Sequence, residues 1–109
     1  MTGWGEATTI GGLSYGVESP EGIKLTIDRY LASLILDGAA MPAIHRRVKG
    51  NHHAKCAIET ALLDATAKRA GLPLSELLGG RARDRLEIVW TLASGVTERG
   101  IDEAEEMPV

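Results

Sequence analysis

"AKCAIETALLDATAKRAGLPLSELLGG", Ala54 to Gly80, decides the fold. Ala54, Ala57, Ile58, Ala61, Leu62 and Ala65 recur at helical spacing and mark one inward stripe. Asn51, just upstream, reads as the N-cap. Lys68 and Arg69 fall in the last turn, where cations favour the carbonyl end, and Gly71 suits a left-handed C-cap. "LPLSELLGG" then reads as one short turn of helix closed by glycines. Such alanine-rich packing lets helices approach closely, but each buried alanine contributes little area. Phe is absent and aromatics are 4% of the chain, so the core must come from Leu, Ile, Val and Ala.

Upstream, Ser19-Pro20 opens another helix. Ser19 is a good N-cap, Pro20 suits the first helical position, and Glu21 favours the positive end. Ile23, Ile27, Tyr30, Leu31, Leu34 and Ile35 form its apolar face, and it should stop near Asp37-Gly38. Met41 to Val48 reads as a short helix with Pro42 in its first turn. Gly3 to Thr9 reads as a strand, broken by Gly11-Gly12. Downstream, "LEIVWTLA", Leu86 to Ala93, reads as a strand buried on both faces, of the kind found in parallel sheets and barrels. Thr97 caps a last amphipathic segment that ends at Pro108-Val109. Strand, helices, strand, helix is an order that does not close on itself. It reads as a piece of something larger.

The 109 residues suffice for one small domain. Apolar residues make up 44% and charged residues 25%, the balance of a soluble globular chain. A net charge of −3 favours neither nucleic acid nor an anionic membrane. No window approaches the about 20 apolar residues of a membrane span, and no secretory signal is present. The single Cys56 cannot form an internal disulfide, which fits the cytoplasm.

Ala54, Cys56, Ala57, Ile58, Glu59, Ala61, Leu62, Asp64, Ala65, Ala67, Lys68, Pro73, Leu74, Leu77, Leu78 and Gly79 together resemble the signature of the mandelate racemase and muconate lactonizing family of the enolase superfamily. "GWGEATTIGGLSYG" and "VWTLASG" resemble muconate and chloromuconate cycloisomerases within it. The resemblance implies an α+β fold. Residues 1–80 would be a partial capping domain, mostly helical with one or two strands. Residues 81–109 would begin a modified TIM barrel, with Leu86 to Ala93 as its first strand. Between Ile35 and Val48 the chain is several residues shorter than that family leads one to expect. Relatives form large homo-oligomers, so a homo-oligomer is expected.

The segment "GEATTIGGLSYGVESPEG", Gly5 to Gly22, places Ile10, Leu13 and Tyr15 on a glycine-rich loop. Read from its residues alone, it is an ordinary turn packing on the chain's own helices. The resemblance implies a lid that closes over the barrel mouth, with Ile10 and Tyr15 facing substrate. Such a lid would exclude water while charge develops on the substrate. The implied reaction is cycloisomerisation of the dicarboxylate cis,cis-muconate to muconolactone through an enolate. A divalent metal, Mn2+ or Mg2+, would stabilise the enolate and a lysine would protonate it. Those groups would lie on later barrel strands, so no catalytic residue and no metal ligand is expected within residues 1–109. The chain by itself should be inactive. The other reading is a non-catalytic truncated product or a small helical interaction module.

Three further groups invite a chemical reading. His52, His53 and Cys56 lack the second cluster a tetrahedral metal site needs, and read as a solvated helix start with a buried cysteine. Glu59 and Asp64 are five apart and share no helix face closely. Bonds to neighbouring loops, or a pair between Asp64 and Lys68, are expected instead. Glu98, Asp102, Glu103, Glu105 and Glu106 read as a solvated face.

Overall fold

A computed structural model describes residues 1–89, 91 and 97–106. Trp90, Leu92 and Ala93 of the expected second strand lie outside the described residues, as does the Pro108-Val109 end.

The described chain is helical. Helix α1 (Pro20–Thr26) runs through a π-helical turn (Ile27–Leu31) into α2 (Ala32–Leu36). Then follow α3 (Met41–Arg47), α4 (His52–Ala70), the single turn α5 (Leu74–Leu77) and α6 (Thr97–Glu106). The Ser19 hydroxyl accepts the Gly22 N–H at 3.1 Å, and Pro20 occupies the first turn, as the residues predict. The π turn was not legible. In it the Ala32 N–H reaches back five residues to the Ile27 carbonyl. Leu31 stays fully buried while Tyr30 turns out to solvent, so Tyr30 leaves the expected apolar face.

The core gathers Ile23, Leu31, Ile44 and Ala54, with Ile27, Leu34, Ile35, Met41, Val48 and Ile58 packed around it. It joins α1, the π turn, α3 and the first half of α4. The connection expected to be short is closed by Gly38 at φ +84°. The Gly38 N–H donates to the Ile35 carbonyl and the Ala39 N–H to the Leu34 carbonyl, each at 2.9 Å. This is a Schellman closure, which lets α3 begin within a few residues of the end of α2.

The predicted strands are corrected. Residues 3–9 are not a strand, and neither are residues 86–89 and 91; among the described residues there is none. A strand exists only as a ladder with a neighbour, and what lies beside residues 3–5 is helix α4. A Cβ added at Gly3 would stand 2.0 Å from the Ala61 carbonyl oxygen, and one at Gly5 would stand 1.9 Å from that of Ala57. The chain therefore lies directly on the alanine stripe, at a distance only glycine permits. The radius of gyration is 18.4 Å, against about 13 Å for a compact domain of this length. The excess fits a small helical body that leaves Leu86, Ile88 and Val89 exposed.

Candidate functional site

The loop from Ile10 to Val17 stands out from this body. Gly11 and Gly12 both take φ +62°, a left-handed conformation that glycine adopts without penalty. The Ser14 N–H and hydroxyl both donate to the Gly11 carbonyl, at 3.1 and 2.7 Å, and hold the turn. Ile10 is 77% exposed and Tyr15 84%. The reading of an ordinary turn packed on its own helices does not describe them. Ile10, Tyr15, Thr8, Thr9, Gly16 and His53 line one open cleft of about 240 Å³. The Thr9 hydroxyl at this cleft is buried and makes no hydrogen bond.

Both stems of the loop are fixed to α4. On the entering side, glycine contacts seat residues 3–5 on the helix. The Trp4 N–H donates to Asp64 Oδ2 at 2.8 Å. Lys68 Nζ donates to the same oxygen at 2.6 Å and to the Thr2 carbonyl at 3.2 Å. Asp64 thus makes both bonds expected of it, to a neighbouring segment and to Lys68. Those bonds, with Lys68 the larger cause and Trp4 the second, hold its carboxyl below the ordinary value of 3.8.

On the leaving side stands Glu18, which the sequence reading passed over. Its Oε2 accepts the His53 N–H at 3.1 Å and lies 2.7 Å from His53 Nδ1; its Oε1 accepts the Ala54 N–H at 3.4 Å. Burial pushes this carboxyl up, but the His53 ring and the two amides outweigh that and hold it below the ordinary value of 4.5. Asn51 is not the cap it was expected to be. It sits in the left-handed conformation at φ 54°, and its amide donates to the Lys49 carbonyl instead. The first-turn N–H groups of α4 are satisfied from 35 residues away. No periodic or local pattern signals such a partner.

One further expectation is corrected. Cys56 is exposed, because it lies on the opposite side of α4 from Ala54 and Ile58. Lys55 is the buried residue there, 3% exposed, with Nζ on the Val48 carbonyl at 2.5 Å. The bond replaces water, and the aliphatic stem packs inside. Among the described residues no group of three or more His, Cys, Asp or Glu side chains could hold a metal ion. The donor set a divalent metal would need is therefore not formed by them. No helix among them is long and apolar enough to cross a membrane.

The comparisons with known proteins agree with this layout. Residues 1–79 match the mandelate racemase / muconate lactonizing enzyme N-terminal domain. The chain belongs to that family. It is 60% identical to muconate cycloisomerase 1 of Pseudomonas putida, over 98% of this chain and 30% of the relative. It is 42% identical to the chloromuconate cycloisomerase of Cupriavidus pinatubonensis, over the same shares of the two chains. The solved muconate lactonizing enzyme from Pseudomonas putida superposes with a TM-score of 0.88 at 60% identity, covering 96% of this chain and 31% of that one. The chain thus spans under a third of the length of the curated relatives it matches. Its fold is the N-terminal domain of an enolase-superfamily protein.

Proposed function

We propose that residues 1–109 are the substrate-covering part of a muconate cycloisomerase, which converts cis,cis-muconate to muconolactone. The observation that carries this is the loop. In a chain of this family, two apolar side chains, Ile10 and Tyr15, stand exposed on a glycine-hinged loop whose stems are both fixed to one helix. Exposed apolar groups held in place are what a lid needs to expel water from a reacting molecule. The higher identity to the muconate relative than to the chloromuconate relative favours muconate as substrate. A divalent metal, Mn2+ or Mg2+, and a lysine acid belong to the same proposal, on the parent enzyme's later segments. The residues described here supply covering and water exclusion, not proton transfer or metal ligation. A homo-oligomeric parent in the cytoplasm completes the reading.

A stand-alone helical module is the weaker reading, since Ile88 is 87% and Val89 91% exposed in an apolar run that needs cover. The test is a chimera in which residues 1–109 replace the matching segment of the Pseudomonas putida enzyme. There Tyr15→Ala should raise KM for muconate about tenfold, equivalent to about 1.4 kcal/mol, and leave metal affinity unchanged. Unchanged kinetics with both muconate and chloromuconate would remove the lid. The 109-residue chain alone should consume no muconate with manganese present. Turnover by it would show that the chemistry does not need the rest of the enzyme.

A further inference from the structure

The loop has a glycine hinge on its entering side, and its internal bonds run only from Ser14 to Gly11. What fixes its leaving side is therefore the next anchored residue, Glu18. That side chain is 13% exposed, whereas Val17 beside it is almost wholly exposed. Glu18 spends both carboxylate oxygens on the first turn of α4. An N-cap bonds the second and third helical N–H groups, and those are the His53 and Ala54 groups that Glu18 satisfies. The capping function has moved from the helix's own Asn51 to the loop. His53, held by the same carboxylate, forms a wall of the cleft shared with Ile10 and Tyr15.

We propose that Glu18 is the positioning residue of the lid: by capping α4 from the end of the loop, it sets where Ile10 and Tyr15 stand over the cleft. The proposal rests on the lid reading above and adds the part that holds the lid. A helix cap in the ordinary sense stabilises a helix; here the same bonds also define a loop. Glu18→Gln keeps one acceptor oxygen, which can still take both His53 bonds. Glu18→Ala keeps none.

The test reads loop order directly. In the 109-residue chain, Glu18→Ala should drop the backbone order parameters of amides 12–17 below about 0.6, while α1 and α4 beyond the first turn stay in the rigid range near about 0.85. Glu18→Gln should restore most of the loop order. His53→Ala, which spares both backbone bonds and removes only the ring, should loosen the loop partly, and it serves if Glu18→Ala does not fold. In the chimera, Glu18→Ala should raise KM for muconate at least threefold, with Glu18→Gln intermediate. Loop order unchanged in Glu18→Ala, or in His53→Ala if that chain does not fold, would make Glu18 a helix cap and nothing more. A loosened loop in Glu18→Ala alongside inert Tyr15→Ala would keep the tether and sink only the lid reading.

Discussion

Residues 3–9 and residues 86–93 look alike as sequence. Both are short, rich in β-formers and bounded by turn residues, and both read as strands. Among the described residues neither pairs, yet their fates differ. The first is seated on α4 by Gly3 and Gly5 and bonded through Trp4 and Thr2 to Asp64 and Lys68. The second, where it is described, carries Leu86, Ile88 and Val89 exposed to water. β-propensity says that a segment suits a half-buried pleated surface, not that one is present. What fixes an extended segment is the partner it meets. Glycine spacing that matches an alanine stripe provides one; a run of Ile and Val alone does not.

The largest way to break the comparison is to add one carbon to the seated segment. Gly5→Ala would place its Cβ 1.9 Å from the Ala57 carbonyl oxygen, backbone that cannot step aside. We expect a loss of about 3 kcal/mol, the upper end for overpacking, read as a lower urea midpoint and faster exchange of the Trp4 amide. Gly16→Ala is the control. Nothing lies within 4 Å of that position and its backbone is ordinary, so it should shift stability by no more than about 0.5 kcal/mol. If the two variants behave alike, the segment is not held by close contact with α4.

Much of this architecture was legible. The caps at Ser19 and Gly71, the proline-initiated α3 and the Asp64–Lys68 pair all depend on residues within four positions of each other, and local chemistry reads such pairs well. Glu18 and Lys55 were missed because their partners are set by the fold. Glu18 meets His53 across 35 residues, and Lys55 is buried only because the Val48 carbonyl lies within its reach. The left-handed Asn51 shows the same limit: an ideal capping residue yields its place once a distant carboxylate supplies the bonds. Of the site, the two exposed apolar side chains could be named from the loop itself. The tether behind them could not.

Acid should loosen the clasps on both stems. Glu18 and Asp64 are each held below their ordinary values of 4.5 and 3.8 in the folded chain, so the unfolded chain binds their protons more readily. Their contribution is fully present above the ordinary carboxylate range. It is lost as pH falls from there through the lowered folded values. Thermal midpoints recorded from pH 7 down to pH 3 should therefore fall on the acid side. The double variant Glu18→Gln/Asp64→Asn should start lower at pH 7 and decline less steeply. An equal decline in both chains would place the acid sensitivity in other carboxylates and leave these two clasps without the weight given to them.

The smallest effect belongs to the unseated segment, and it sharpens the contrast. Ile88→Ser removes an apolar side chain that is already almost wholly in water. No packing is lost, so the unfolding free energy should stay within about 0.5 kcal/mol of the parent chain. What should change is association. An exposed run of Leu86, Ile88 and Val89 is a surface for contact with other copies, and breaking it with a hydroxyl should lower the concentration-dependent mass seen by light scattering. A destabilisation above about 1 kcal/mol would mean that Ile88 is buried in the folded chain after all, since only lost burial costs that much at such a site. The two extended segments would then be held in the same way, and the contrast drawn between them would fail.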